Sequence, residues 1–262
     1  MSDQTIINKE EAANSEPSRT IDPVLSEEMV KAGVLYGRKK SKTHPRMKKF
    51  INAVRNGISI VDLAATLSTL ESAGEFLKEV AKKQGVVLVV GTRPAAQQAV
   101  ENFAKKSGLL YVIKRWLGGT LTNFKTISSR IQFFTKLKAD KAAGKLEKYT
   151  KKEQVNFDKQ IDKLTIFFSG LENMTKLPDV LLVVDINEHE TAVREANRLK
   201  IPVIGITNTD SDPESIAYPI PANDNGMASI NWILNRLSTK IEEGIRERSV
   251  PTWPSSAWPT AS

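Results

Sequence analysis

The sequence predicts an α/β fold, a parallel sheet covered on both faces by helices, and two observations predict it. Short apolar runs rich in Val, Ile and Leu recur along the chain without polar alternation. Continuous runs of that kind belong to strands buried on both faces. Helical patterns separate them, and a βαβα order implies parallel strands joined by right-handed crossovers.

The elements follow in order. Residues 58–63 (ISIVDL) read as a first strand and 66–83 as a helix. Residues 86–91 (VVLVVG) form a second strand, and the helix at 94–106 has Pro94 at its start and Gly108 just past its end, the usual asymmetry of helix termini. Residues 109–113 make a third strand, 180–185 (VLLVVD) a fourth and 202–207 (PVIGIT) a fifth, with helices at 188–199 and 224–243. The alternation breaks once, between 129 and 176. There Ile127, Ile131, Phe134 and Leu137 recur at helical spacing, and after the polar link AAGKLEKYTKK so do Phe157, Ile161, Leu164, Phe168 and Leu171. The second set is an a/d seam, which predicts two antiparallel helices zipped into a coiled-coil hairpin that protrudes from the sheet domain. The alternative is two helices lying flat on the sheet. The predicted organisation is a flexible extension at 1–23, an α/β domain at 24–128 and 174–245, the hairpin at 129–173, and a flexible tail at 246–262 that holds Trp253 and Trp258.

Charge narrows the function. The chain has 262 residues, with Lys+Arg 38 against Asp+Glu 30, a net charge of +8 and a pI near 9.5. That balance favours nucleic acid or another anionic surface as partner. With no cysteine there is no disulfide and no thiolate metal site, which fits a reducing cytosol. No apolar run approaches the ~20 residues that span a bilayer, so no membrane partner is expected. Residues 1–23 lack the apolar core of a secretory signal, and Glu10, Glu11 and Glu16 argue against an organellar transit peptide. The distribution is uneven. No acid lies between Glu28 and Asp62, and none between Glu101 and Asp140, whereas 171–226 is net acidic.

Within the second acid-free block, 114–127 (KRWLGGTLTNFKTI) looks like a phosphate-binding turn. Gly118 and Gly119 let the backbone turn tightly, and the amides opening the next helix attract anions. A metal-dependent phosphotransfer site would need a carboxylate here, and a Walker turn would read GxxxxGK[ST]; both are absent. The chemistry suits contact with a polyanion.

That turn, preceded by AGVLYGRKKSKTHPRMKKFI and RNGISIVDLAATL and followed by LPDVLLVVD, REANRLKIPVIGI and YPIPANDNG, resembles the bacterial-type ribosomal protein S2 family of the small subunit, over about 25–243. The resemblance implies a flavodoxin-like or Rossmann-like α/β domain with a protruding coiled coil, seated on 16S rRNA near the junction of head and body, in the cytoplasm. It also implies neighbouring small-subunit ribosomal proteins, including S1, as partners, with no small-molecule substrate, no cofactor, no catalytic residue and no homo-oligomer. Together with the charge pattern it assigns Arg38, Lys39, Lys40, Lys42, Arg46, Lys48, Lys49 and Arg55 to phosphates of the rRNA backbone. Pro45 keeps that block from forming one long helix. Lys114, Arg115 and Lys125 supply charge at the turn, while Thr120 and Asn123 offer hydrogen bonds to phosphate or a 2′-OH. Trp116 either stacks on a base or plugs the core.

One departure stands out. Relatives commonly read GVHFGH where this chain reads GVLYGR, so Leu35 and Arg38 replace two histidines and any role of those histidines does not carry over. Arg38 is expected to add a fixed cation toward phosphate. Only His44 and His189 remain; His189 is expected at the surface, and no metal is predicted. The rival reading is a magnesium-dependent nucleotide or phosphate enzyme, with Asp185, Asp210 and Asp212 at the carboxyl ends of strands. Against it, TNTDSDPES also reads as a turn and helix cap. An RNA chaperone acting off the ribosome is a third reading.

Overall fold

A computed structural model describes residues 22–248. In chain order the elements are α1 (Pro23–Lys31), β1 (Tyr36–Lys39), β2 (Ile51–Arg55), β3 (Ile58–Val61), α2 (Leu63–Lys82), β4 (Val87–Val90), α3 (Pro94–Ser107), β5 (Leu110–Val112), α4 (Phe124–Ala142), α5 (Lys151–Phe168), β6 (Val180–Val184), α6 (Glu190–Arg198), β7 (Val203–Thr207), β8 (Tyr218–Pro221) and α7 (Met227–Arg246). The expected tails at 1–23 and 246–262 lie almost wholly outside the described residues.

Strands β4 to β8 form one parallel sheet in the order β5-β4-β6-β7-β8. Counted from its own first strand this is 2-1-3-4-5, the flavodoxin-like order. Every residue of β4, β6 and β7 is buried, as their unbroken apolar runs require. Val87, Val89, Leu182, Val184, Ile204 and Ile206 pack one face against α2, α3 and α7. Leu88, Val90, Leu181 and Val183 pack the other against α6 and against apolar side chains of α4 and α5. Helices α2 and α7 cross very closely: a Cβ on Gly244 would lie 2.3 Å from the Lys78 carbonyl oxygen, so this crossing has no room for a methyl group.

The first expected strand belongs elsewhere. Residues 58–61 form β3, which pairs antiparallel with β1 on one side and β2 on the other in a separate three-stranded sheet. The cause is the turn before it. Asn56 and Gly57 both have positive φ and close a two-residue hairpin between Arg55 and Ile58, the geometry for which Asn-Gly is the preferred pair. Strand β8 goes unpredicted because YPIP carries two prolines. It is an edge strand, paired only with β7, where a missing N–H is tolerated.

Helices α4 and α5 follow one another across a link at 143–150. A capping box opens α5, with Thr150 and Glu153 exchanging side-chain-to-backbone bonds. The expected seam faces inward: Phe157, Ile161, Leu164, Phe168 and Leu171 join the same apolar cluster as Ile131, Phe134 and Leu137. Lys141 pairs with Asp158 at 2.8 Å across the two helices.

Candidate nucleic-acid interface

The first basic block folds onto the small antiparallel sheet. Pro45 opens a short 3-10 helix, Pro45–Phe50, with extended backbone at Thr43 and His44 separating it from another at Lys40–Lys42, so no long helix forms. This arm is tied to the end of β7. The Arg38 amide donates to Thr209 Oγ1 at 2.8 Å and the His44 amide to the Thr209 carbonyl at 2.8 Å. Lys39, Lys40, Lys42, Lys48, Lys49 and Arg55 are all exposed. None of the six has an acidic partner among the described residues; Lys49 lies 5.2 Å over the Phe50 ring.

The two remaining cations of the block face acids of the chain itself. Arg38 turns inward, where its guanidinium meets Asp224 at 3.1 Å and Asp210 at 3.4 Å. This corrects the expectation of an outward cation at that position. The side chain is attracted to carboxylates at the ends of the parallel strands and is only 21% exposed. Arg46 pairs with Asp212 at 2.7 Å and Glu214 at 3.2 Å while remaining half exposed.

The glycine turn carries a second correction. Its amides do point at an anion, but the anion is Glu195 of α6. One carboxylate oxygen accepts from the Gly119 amide at 2.8 Å and the Trp116 indole Nε1 at 3.1 Å. The other accepts from the Leu121 amide at 3.0 Å, and from the amide and hydroxyl of Thr122 at 3.1 Å each. Burial raises the carboxyl pKa, but the bonds from Gly119, Trp116, Thr122 and Leu121 together outweigh it and hold Glu195 below the ordinary carboxylate range. Gly119, at φ 88, supplies the left-handed residue the turn needs. Trp116 is half-buried against the sheet's apolar cluster, so its packing role is met here. Thr120 is 2% exposed and its hydroxyl donates to the Leu117 carbonyl at 2.6 Å, so it is spent inside the turn and not presented at the surface. Lys114, Arg115, Asn123 and Lys125 are exposed; Lys114 reaches Gln97 at 3.0 Å.

In a 2-1-3-4-5 sheet the chain reverses winding between β4 and β6, and ligands of such folds bind in the crevice at the carboxyl ends there. That crevice is filled from within. Asp185 takes up a left-handed conformation (φ 68), stabilised because its Oδ1 accepts from the Asn187 and Glu188 amides at 3.0 and 3.1 Å. Its Oδ2 lies 2.5 Å from Arg93 Nη1. His189 is buried, contrary to its expected surface position. Its Nε2 accepts from the Thr92 amide at 3.2 Å, which leaves the proton on Nδ1 to donate to the Asp185 carbonyl at 2.8 Å. Burial pushes the ring's pKa below the ordinary histidine range, so it stays neutral. Asp224 is fully buried and accepts from Asn208 at 2.7 Å as well as from Arg38. Burial, with Asp185 nearby, raises its pKa to about 6. Asp212, the third carboxylate of the enzyme reading, caps the short helix Pro213–Ser215 and pairs with Arg46. Among the described residues no group of three or more His, Asp or Glu is placed to hold a metal ion.

The family model of ribosomal protein S2 matches residues 29–244. The chain belongs to the ribosomal protein S2 family. It is 46% identical over 227 residues to the small ribosomal subunit protein uS2 of Dictyoglomus thermophilum, covering 86% of this chain and 92% of that relative. The uS2 protein of Dictyoglomus turgidum is 45% identical over the same length. That of Coprothermobacter proteolyticus is 40% identical over 221 residues, covering 84% and 82%. Membership of the S2 family gives a ribosomal constituent and not an enzyme.

Glu195 is the residue that sequence reading passes over. Nothing local marks it, since 73 residues or more separate it from the groups it binds. The only signal is indirect: a turn built to hold an anion, in a stretch from 102 to 139 without an acid of its own, needs one from elsewhere in the chain.

Proposed function

We propose that the protein is a structural constituent of the small ribosomal subunit, in the cytoplasm, and that it binds 16S rRNA near the junction of head and body through its basic arm. The observation that carries the rRNA contact is the set of six exposed cations, Lys39, Lys40, Lys42, Lys48, Lys49 and Arg55, left without acidic partners among the described residues on the small sheet and its 3-10 turns. In a chain with 30 acids, unpaired cations clustered along one short arm of the chain suit an external polyanion. Lys114, Arg115, Asn123 and Lys125 form a second contact at the exposed side of the glycine turn, and Arg46 joins the arm at its rim. Each phosphate contact adds affinity and salt dependence without base specificity.

Helices α4 and α5 serve as the protruding antiparallel coiled coil. The support is the inward seam and the Lys141–Asp158 pair. Neighbouring small-subunit proteins, S1 among them, are the protein partners, and the chain enters the subunit as a single copy. Charge reversal at Lys39, Lys40 and Lys42 tests the arm, with affinity for 16S rRNA measured over a range of salt. A weaker complex with a shallower salt slope is expected; an unchanged slope would place the arm against solvent or protein.

A further inference from the structure

We infer that Glu195 is the positioning residue of the glycine turn: its carboxylate is a built-in counter-anion that holds 114–123, and the start of α4 that follows it, in the shape that presents Lys114, Arg115 and Lys125 outward. Only the last part of this rests on the RNA-binding reading above.

Five donors converge on the one carboxylate: the amides of Gly119, Leu121 and Thr122, the Thr122 hydroxyl and the Trp116 indole. Glu195 is 8% exposed and has no cationic partner among its contacts. Its neighbour on α6, Arg194, turns away to Glu190. The negative charge is therefore met by oriented N–H and O–H dipoles, the arrangement by which turn amides hold a phosphate. An oxygen pair from α6 stands where such a phosphate would, and the turn's amides are closed to RNA. Contact with an external phosphate then falls to side chains that flank the turn and have no carboxylate partner among the described residues. Lys114, Arg115 and Lys125 meet that description and are exposed.

The turn's own bonds do not fix it alone. Thr120 closes on Leu117, and the Asn123 amide donates to the Gly119 carbonyl at 2.8 Å. Glu195 adds the ties to another element, joining the turn at the start of α4 to a helix on the same face of the sheet. Without the carboxylate three amides and an indole N–H lose their acceptor at once, and the segment carrying the cations gains freedom.

The test uses the full-length chain with Glu195→Ala and Glu195→Gln. In nitrogen–proton spectra the Trp116 indole and the Gly119, Leu121 and Thr122 amides are followed, together with their exchange rates. In Glu195→Ala these signals should move upfield and the amides exchange at least about tenfold faster, while amides of α3 and α7 stay protected. Formate at tens of millimolar, compared with chloride at equal ionic strength, should restore the signals by supplying a carboxylate to the vacated space. Glu195→Gln keeps the side-chain volume but turns an NH2 group toward donors, so it should lose part of the signal set and not respond to formate. Affinity for 16S rRNA should fall about tenfold in Glu195→Ala and recover with formate.

Unmoved signals in Glu195→Ala, or signals that move and stay moved in formate while the fold persists, overturn the inference. If the alanine chain does not fold, the glutamine chain decides: an intact set of four signals there overturns it as well. Failure of the unaltered chain to bind 16S rRNA would strike the RNA-binding reading instead and leave the spectroscopic result standing.

Discussion

At the scale of single residues, the chemistry of this chain is set by which charges are answered internally. Glu195 and Asp224 are both buried carboxylates, yet they titrate in opposite directions because their surroundings differ. Glu195 accepts five hydrogen bonds, so its folded pKa lies below the ordinary value of 4.5. Its contribution to stability is present above that value and is lost as pH falls through the depressed pKa. Glu195→Gln should therefore lower stability at neutral pH by about 2–3 kcal/mol. The gap between the two chains should close in acid, as read from denaturant midpoints. Asp224 is the reverse case. Raised from 3.8 to about 6, it favours folding most below pH 3.8 and loses that contribution as pH rises through 6. Asp224→Asn should remove a stability slope between about pH 4 and 6 that the unaltered chain shows. Arg38→Ala, which leaves Asp224 buried without its cation, should destabilise the fold at pH 7 by about 3 kcal/mol in thermal or denaturant unfolding.

At the scale of elements, what was legible in the sequence follows from what each signal depends on. The runs VVLVVG, VLLVVD and PVIGIT are read as strands because they are short, rich in Val and Ile and apolar throughout, as burial on both faces requires. The apolar face of α5 was legible from a different period: Phe157, Ile161, Leu164 and Phe168 repeat at the spacing of one helix face, with Leu171 just beyond its end. ISIVDL misleads because an apolar run of six states that a strand exists, not which sheet takes it. The partner was encoded one step earlier, in Asn56 and Gly57, a hairpin signal that outweighs the run. Inward Arg38, buried His189 and the reach of Glu195 were illegible, since each depends on groups brought together from distant parts of the chain. The hairpin makes a prediction of its own. Gly57 sits at φ 76, and although a Cβ there would meet open space, the backbone conformation disfavours any side chain. Gly57→Ala should cost about 1 kcal/mol and loosen the arm, seen as faster amide exchange in β2 and β3 with α7 unaffected.

At the scale of the whole molecule, two places where an α/β fold of this order would hold a ligand are filled by its own side chains. Glu195 occupies the glycine turn, and Arg93, Asp185 and His189 occupy the crevice between β4 and β6. Exposed cations of the arm and of the glycine turn, without carboxylate partners among the described residues, are available to meet a polyanion. Such a molecule is arranged to be a stable body with a basic surface, consistent with a chain of net charge +8 in the ribosomal protein S2 family. Replacing Lys39, Lys40 and Lys42 by Gln should weaken binding to 16S rRNA without lowering the melting temperature, and should reduce the salt slope by about 2 to 3. The most direct test of the account is sedimentation of the full-length chain with the small ribosomal subunit as salt is raised. The account predicts co-sedimentation at moderate salt and release at high salt, with the lysine-substituted chain released earlier. A chain that stays free of the subunit at every salt concentration would contradict it.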